Sequence, residues 1–254
     1  MSTAALTLRQ LRYENKSFWR NPASAFFTFA FPLMFLVIFN LLFGSSDFGP
    51  PGSEISGSTF YVPAIAAFSV ITACYTNIAI STTFLRDEGV LKRVRGTPLP
   101  PLSYLLARMF HATIMAVVLV AIVVVFGALL YDVEVPTSNL VELTGIVALG
   151  AFTFSALGLA ATAMIPNADA APPVVNATIL PLLFISDVFI PLASAPDWLE
   201  SVAKVFPIWH YSHAMLTVFE PSGAFEGGNL WIVGAWGLAG VALATRFFTW
   251  EPRK

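Results

Sequence analysis

The sequence has very little charge. Only 11% of its 254 residues are Asp, Glu, Lys or Arg, whereas soluble domains carry about 25%. Apolar residues make up 57% of the chain, and the mean hydropathy is +0.76. This composition excludes an ordinary soluble domain. The length leaves room for about six membrane spans of ~20 residues with their connections.

Several chemical motifs are also missing. No Gly-x-x-x-x-Gly-Lys-Ser/Thr segment occurs, so the chain cannot hold ATP with a phosphate loop. There is no His-Glu-x-x-His zinc motif and no Gly-x-Ser-x-Gly elbow. The apolar stretches lack clustered His, Asp or Glu, which argues against an intramembrane enzyme. We therefore expect no catalytic residue and no metal site, and we expect the one cysteine, Cys74, to be a core residue.

Six apolar stretches occupy most of the chain. They cover residues 24–43, 60–84, 104–130, 143–165, 172–191 and 229–248. Each is long enough to cross a hydrocarbon core of ~30 Å as a helix. The sequence thus predicts an all-α, polytopic membrane protein with six transmembrane helices in one domain, residues 1–254.

The basic residues are distributed on one side of these stretches. If the N-terminus is cytoplasmic, all of the 13 Lys and Arg residues except Lys204 fall on the inner side, and most acidic residues fall on the outer side. Lys and Arg are retained on the cytoplasmic side of membrane proteins. The pattern predicts cytoplasmic N- and C-termini.

Two further segments are predicted to be helical without spanning. Residues 196–219 are short, contain Pro207, and are expected to form an outer re-entrant helical hairpin that begins at Asp197. Trp198, Trp209 and Tyr211 suit the outer head-group belt. Residues 5–21 are predicted to form an interfacial helix whose basic side faces anionic lipid head groups; these basic residues are Arg9, Arg12 and Lys16.

A dense group of charges separates the second stretch from the third. Residues 86–97 are predicted to form one short amphipathic helix. Glu88 precedes Lys92 by four residues, the favourable order for a helical ion pair. Gly96 is expected to take the left-handed C-cap position, and Pro98 stops any continuation.

This segment resembles the cytoplasmic loop of the membrane-spanning subunits of type-2 ATP-binding-cassette (ABC) exporters. The resemblance rests on Asp87-Glu88-Gly89, Leu91-Lys92-Arg93 and Thr97-Pro98-Leu99, at this place between the second and third spans. The sequence departs from the family pattern at Val90, where Thr or Ile is common. The family's organisation extends over the whole chain.

The resemblance implies a permease subunit in a bacterial cell membrane, working with two cytoplasmic ATPase subunits and a second copy of itself or a related chain. ATP and Mg²⁺ would be bound by the ATPase subunits, with no cofactor in this chain. Membrane lipid would be a further partner, and nucleic acid would not. In this family the charged helix couples the permease to the ATPase, which here implies a coupling role for Asp87, Glu88, Gly89, Val90, Leu91, Val94, Thr97 and Pro98.

The resemblance is strongest to the drug-efflux branch, which implies an amphipathic or hydrophobic small molecule as substrate. Exporters of lipid-linked glycans or lipids share the architecture and remain an alternative. An ion-driven secondary carrier is an alternative of another class, but it would usually need ionisable groups at the bilayer midplane. Under the family interpretation, the interfacial helix would also border the ATPase; the simpler interpretation is an anchor.

Three polar residues in or near the spans are candidates for a substrate path or gate, namely Asn77, Asn176 and Asp187. Each also has a simpler interpretation. The two Asn side chains could hydrogen-bond between helices, and Asp187 could face water or a partner at the outer boundary. Arg108 and His111, at the start of the third span, are expected to extend to the inner interface.

Overall fold

The computed structural model describes residues 3–48, 54–190, 196–220 and 228–252. Within these ranges the chain is almost entirely helical. The helices are α1 (Thr3–Trp19), α2 (Pro22–Phe43), α3 (Gly57–Ile71), α4 (Asn77–Asp87), α5 (Val90–Arg95), α6 (Pro101–Tyr131), α7 (Leu140–Ala161), α8 (Ala171–Phe184), α9 (Asp197–Ala203), α10 (Pro207–Phe219) and α11 (Leu230–Phe247). A π-helical segment, Thr72–Thr76, joins α3 to α4, and a 3₁₀ turn, Thr137–Asn139, precedes α7. Two short antiparallel strands, β1 (Asp47–Phe48) and β2 (Ile55–Ser56), connect α2 to α3.

Five helices of the described part of the chain are long and apolar enough to cross a membrane. They are Pro22–Phe43, Gly57–Asp87, Pro101–Tyr131, Thr137–Ala161 and Leu230–Phe247. These correspond to five of the six predicted stretches and confirm the polytopic helical fold. Cys74 is fully buried within the second of them.

The fifth predicted stretch, residues 172–191, is only partly helical. α8 has 14 residues and is therefore about 21 Å long at 1.5 Å per residue, short of a ~30 Å hydrocarbon core. Residues 185–190 turn instead, and Asp187 adopts a left-handed φ of 54°. Their non-helical backbone is tolerated because side chains 186–189 are buried in protein. The predicted helix over 172–191 is therefore shorter than expected and ends at Phe184; residue 191 lies outside the described residues.

Helix boundaries follow from local capping. The side chain of Asn21 accepts a hydrogen bond from the backbone N–H of Ser24 (3.1 Å), and Pro22 occupies the first position of α2. Pro101 likewise begins α6. Proline suits the first helical turn, where its missing N–H has no intrahelical partner to lose. This arrangement separates α1 from α2, close to residue 21, the predicted end of the interfacial helix.

The predicted hairpin exists as two helices, α9 and α10, but its aromatic side chains are not all at the surface. Trp198 is 66% exposed, whereas Trp209 and Tyr211 are buried, so their assignment to a head-group belt is wrong. Tyr211 packs edge-on against Phe154 at a ring distance of 5.2 Å. A Cβ at Gly150 would overlap the Tyr211 ring, so this glycine is what lets α10 approach α7. α10 is a core element of the bundle.

Candidate coupling segment and apolar groove

The charged segment is not the single helix that the sequence predicts. α4 ends at Asp87, and only residues 90–95 form a separate helix, α5. Between them Gly89 has φ 70°, ψ 12°, a left-handed conformation that costs a residue with a Cβ about 1–2 kcal/mol. Gly96, expected to be left-handed, has φ −79°. The reversal therefore precedes α5 instead of following it.

This turn also removes the predicted helical pair between Glu88 and Lys92. No ion pair joins them among the residues that the structure describes. Glu88 is exposed and lies before the turn, so it is out of register with α5. Its carboxylate is available to a ligand or partner.

The predicted coupling residues differ in exposure. Leu91 is fully buried and has no surface that a partner could contact directly. Val90 and Val94 are half-buried, and the exposed residues of the segment are Glu88, Lys92, Arg93, Arg95, Gly96, Thr97 and Pro98. We call residues 88–98 without Leu91 the coupling surface.

Arg86, at the end of α4, connects this segment to the loop that follows α7. The side chain is only 1% exposed. Its Nη1 donates to the carbonyl of Thr162 (2.9 Å), and its Nη2 donates to the carbonyls of Ile165 (2.7 Å) and Pro166 (3.3 Å). These carbonyls follow the C-terminus of α7, where a cation also complements the helix dipole. One guanidinium thus stabilises a whole turn of irregular backbone.

Asp87 makes a second link to the same loop. Its Oδ2 accepts a hydrogen bond from the backbone N–H of Ala168 (2.6 Å), shortly before α8 begins. The side chain is 23% exposed. Asp87 is therefore engaged inside the permease, where it holds the end of α4 in place; its coupling role stays a prediction. Sequence reasoning missed both links because the partners are backbone groups about 80 residues away.

Two of the three candidate path residues line one apolar groove. Asn77 on α4 and Asn176 on α8 both border a cavity of about 700 Å³ between α2, the α3–α4 span and α8. Six aromatic rings contribute to its walls; they are Phe27, Phe31, Phe35, Phe68, Phe184 and Phe189. Neither amide side chain hydrogen-bonds to another described residue, so the interpretation of these Asn side chains as helix–helix links is not supported here.

The third candidate, Asp187, lies elsewhere. It is 9% exposed, and its Oδ2 lies 3.4 Å from Nε2 of His213 on α10. His213 Nδ1 donates to the carbonyl of Trp209 (2.9 Å). Asp187 therefore joins the turn after α8 to α10, and the expectation that it faces water is wrong.

The π-helical segment was not predicted from the sequence. It widens the second span at Thr72–Thr76, directly before Asn77. The hydroxyl groups of Tyr75 and Thr178 are 2.8 Å apart and join this span to α8. Single π turns within α-helices occur often at functional sites. Here the π segment sets the rotation of Asn77 toward the groove.

α1 packs on α6 and covers the residues that were expected to reach the inner interface. Arg108 and His111 are each 7% exposed. Nη1 of Arg108 lies 3.4 Å from Oε2 of Glu14, and the rings of Phe18 and His111 are 5.4 Å apart. The expectation of extended, solvated side chains is wrong because α1 encloses them.

Comparison with known proteins agrees with this architecture. The family model described as ABC-2 type transporter matches residues 5–219, which is most of the chain.

Individual relatives are distant. The chain is 24% identical to a Bacillus subtilis protein named a transport permease, YvfS, over 65% of the chain and 64% of that protein. It is 26% identical to the transport permease ycf38 of Cyanophora paradoxa, over 72% of the chain and 66% of that protein. It thus spans just under two thirds of the length of these two relatives. It is also 26% identical to a daunorubicin resistance ABC transporter permease protein, DrrB1, of Streptomyces coeruleorubidus, over 83% of the chain and 73% of that protein.

Proposed function

The chain belongs to the ABC-2 type transporter family, and we propose that it is the permease subunit of an ATP-driven exporter for amphipathic or hydrophobic small molecules. The observation that supports this best is the groove of about 700 Å³, in which two amide groups lie among aromatic rings. Such a surface binds apolar bodies and orients them with a few polar contacts. The daunorubicin resistance permease among the relatives supports a drug-like substrate.

The motor would be supplied by separate subunits. Because this sequence has no phosphate loop, ATP and Mg²⁺ would bind to cytoplasmic ABC ATPase subunits docked on the coupling surface. A second copy of this chain, or a related permease, would complete the transport unit. Membrane lipid would surround it, in a bacterial cell membrane with both termini cytoplasmic.

The links made by Arg86 and Asp87 supply a route for coupling. Force on α5 would reach α4 through the short turn at Gly89, and α4 carries Asn77 of the groove. The same force would reach the start of α8 through the loop at Ala168. The α4 and α8 walls would then move together relative to α2, which changes the width of the groove.

The groove also favours small amphiphiles over lipid-linked glycans. A glycan presents many hydroxyl groups, and desolvating them against apolar walls is costly without hydrogen bonds. The polar groups of the lining are confined to Asn, Thr and Ser side chains. An amphiphile with a large apolar body matches this balance.

Transport should require ATP and the partner subunits. In inside-out vesicles that contain the chain and its ATPase, a fluorescent amphiphile should accumulate only with ATP and Mg²⁺. The purified chain alone should show no ATP turnover. Uptake that continues without ATP and collapses with an uncoupler would indicate an ion-driven carrier and contradict the proposal.

The proposed orientation is tested by cysteine labelling. In a Cys74→Ala background, single cysteines at Ser45 and Ser138 should react with a membrane-impermeant maleimide on intact cells, because both positions are exposed and predicted to be outer. A cysteine at Thr97, exposed on the coupling surface, should react only after the cells are opened. The reverse pattern would overturn the orientation.

A further inference from the structure

A second cavity lies on the predicted inner side of the bundle. It has a volume of about 430 Å³ and is enclosed by α1, the start of α2, α4 and α6. Unlike the groove, it has charged walls, and its ionisable residues are Glu14, Glu88, Arg108 and His111. We call this cavity the inner cleft.

The polar groups of the inner cleft are built into the fold. Arg108 is held at one end by Ser81, whose Oγ accepts from Nη2 at 2.6 Å, and by Glu14. His111 is 93% buried, since 7% of it is exposed, yet its Nε2 has no hydrogen-bond partner among the described residues. A buried imidazole nitrogen without a partner is costly. A bound hydrogen-bond donor would remove that cost.

The charge of the cleft selects the sign of its ligand. The lining includes two carboxylates, Glu14 and Glu88, and one guanidinium, Arg108, so apart from His111 it carries an excess of one negative charge. Glu14 forms an ion pair with Arg108, whereas no described residue forms an ion pair with Glu88. A monovalent cation that donates hydrogen bonds would satisfy both Glu88 and His111.

The cleft and the groove share a wall. Ser24, Asn77, Ile80 and Ser81 line both cavities. A ligand with a charged head and an apolar tail can therefore occupy the two at once. We propose that the inner cleft binds the ammonium head of a cationic amphiphile whose tail lies in the aromatic groove. This inference rests on the proposed export of amphiphiles. A transported amine and an aminolipid of the inner leaflet both present such an ammonium group, and the binding chemistry is the same for the two.

Photolabelling of the isolated chain tests this directly. The chain is placed in phosphatidylcholine nanodiscs with dodecylamine that carries a diazirine in its tail, or with the matched dodecanol. Labelled peptides are identified by mass spectrometry. We expect saturable labelling of α2 and α8 by the amine, with about tenfold weaker apparent affinity for the alcohol.

Two variants probe the head-group contacts separately. Glu88→Gln and His111→Phe should each weaken amine labelling severalfold and leave alcohol labelling unchanged. Glu142→Gln, which removes an exposed carboxylate at the first turn of α7, should alter neither. Equal labelling by amine and alcohol, or amine labelling unchanged in both variants, would overturn the head-group site.

Two further comparisons distinguish an aminolipid from a transported amine, and the inner-cleft proposal from the proposed export function. Competition by phosphatidylethanolamine in the nanodiscs supports the ammonium site and assigns it to an aminolipid, and no competition supports the site for a transported amphiphile. Because this assay uses neither ATP nor an ATPase, loss of selective labelling overturns only the cleft assignment. Selective labelling without ATP-driven export in vesicles would instead overturn the proposed function.

Discussion

Arg86→Ala is expected to lower the thermal stability of the permease and to abolish ATP-driven export. The substitution removes three hydrogen bonds to the carbonyls of Thr162, Ile165 and Pro166, and it leaves the buried carbonyls of Thr162 and Ile165 without this donor. Hydrogen bonds to a charged group contribute about 1.5–3 kcal/mol each, and their losses are not additive. We expect the apparent Tm in detergent to fall by about 5–15 °C.

Matched substitutions separate this role from simple charge. Arg93→Ala removes an exposed cation of α5, beyond the turn at Gly89. It should change the apparent Tm by about 1 °C or less. Arg86→Lys keeps the charge, but a compact ammonium cannot bridge the same set of carbonyls, so its Tm should be intermediate. Equal melting of wild type and Arg86→Ala would show that the loop after α7 does not depend on this side chain.

The hydrophobic pattern was sufficient to predict most of the fold. Five spans, the interfacial segment and the two-helix hairpin are helical where apolar runs, prolines and capping residues place them. These signals are local, because each depends on residues within one or two turns. The early end of α8 was not predicted for a non-local reason: the turn that follows contacts α10 through Asp187 and His213.

The candidate site could be predicted only in part. The segment after the second span was recognisable from its charges, and the two groove amides were recognisable as polar residues within apolar runs. The links of Arg86 and Asp87, however, are made to backbone groups, which no side-chain pattern reports. The pairing of Glu14 with Arg108 joins residues 94 positions apart. Both depend on how the helices assemble.

The difference between local sequence signals and long-range packing also explains the errors at the coupling segment. A helical reading of residues 86–97 placed Leu91 on a docking face and paired Glu88 with Lys92. The left-handed turn at Gly89 resets the helical phase, so Leu91 points into the bundle and Glu88 leaves the helix. A glycine in a charged segment is compatible with helix, cap or turn, and only the tertiary structure selects one.

Gly89→Pro is expected to uncouple ATP hydrolysis from export. Proline fixes φ near −65°, whereas Gly89 has φ 70°, and it also removes the N–H that donates to the carbonyl of Arg86 (3.0 Å). α5 would therefore leave α4 at another angle and carry the coupling surface with it. In vesicles that contain the ATPase subunits, export should fall by about tenfold or more, equivalent to ~1.4 kcal/mol, while basal ATP hydrolysis continues without stimulation by substrate.

Gly89→Asn is the matched control, because Asn tolerates the left-handed region and keeps the N–H; it should retain most export at equal membrane expression. Glu88→Ala leaves the turn intact and removes only an exposed carboxylate, so folding should be nearly unchanged. If the segment docks the ATPase, Glu88→Ala should still reduce ATP hydrolysis stimulated by a neutral substrate, which makes no ammonium contact in the inner cleft. A solvated loop that merely retains positive charge on the inner side predicts that Glu88→Ala and Gly89→Pro are both silent and that only loss of Lys92, Arg93 and Arg95 matters. Unchanged coupling in the first two variants would therefore refute the coupling role of residues 88–98, and loss of coupling in Gly89→Pro with retention in Gly89→Asn would assign it to the geometry of this turn.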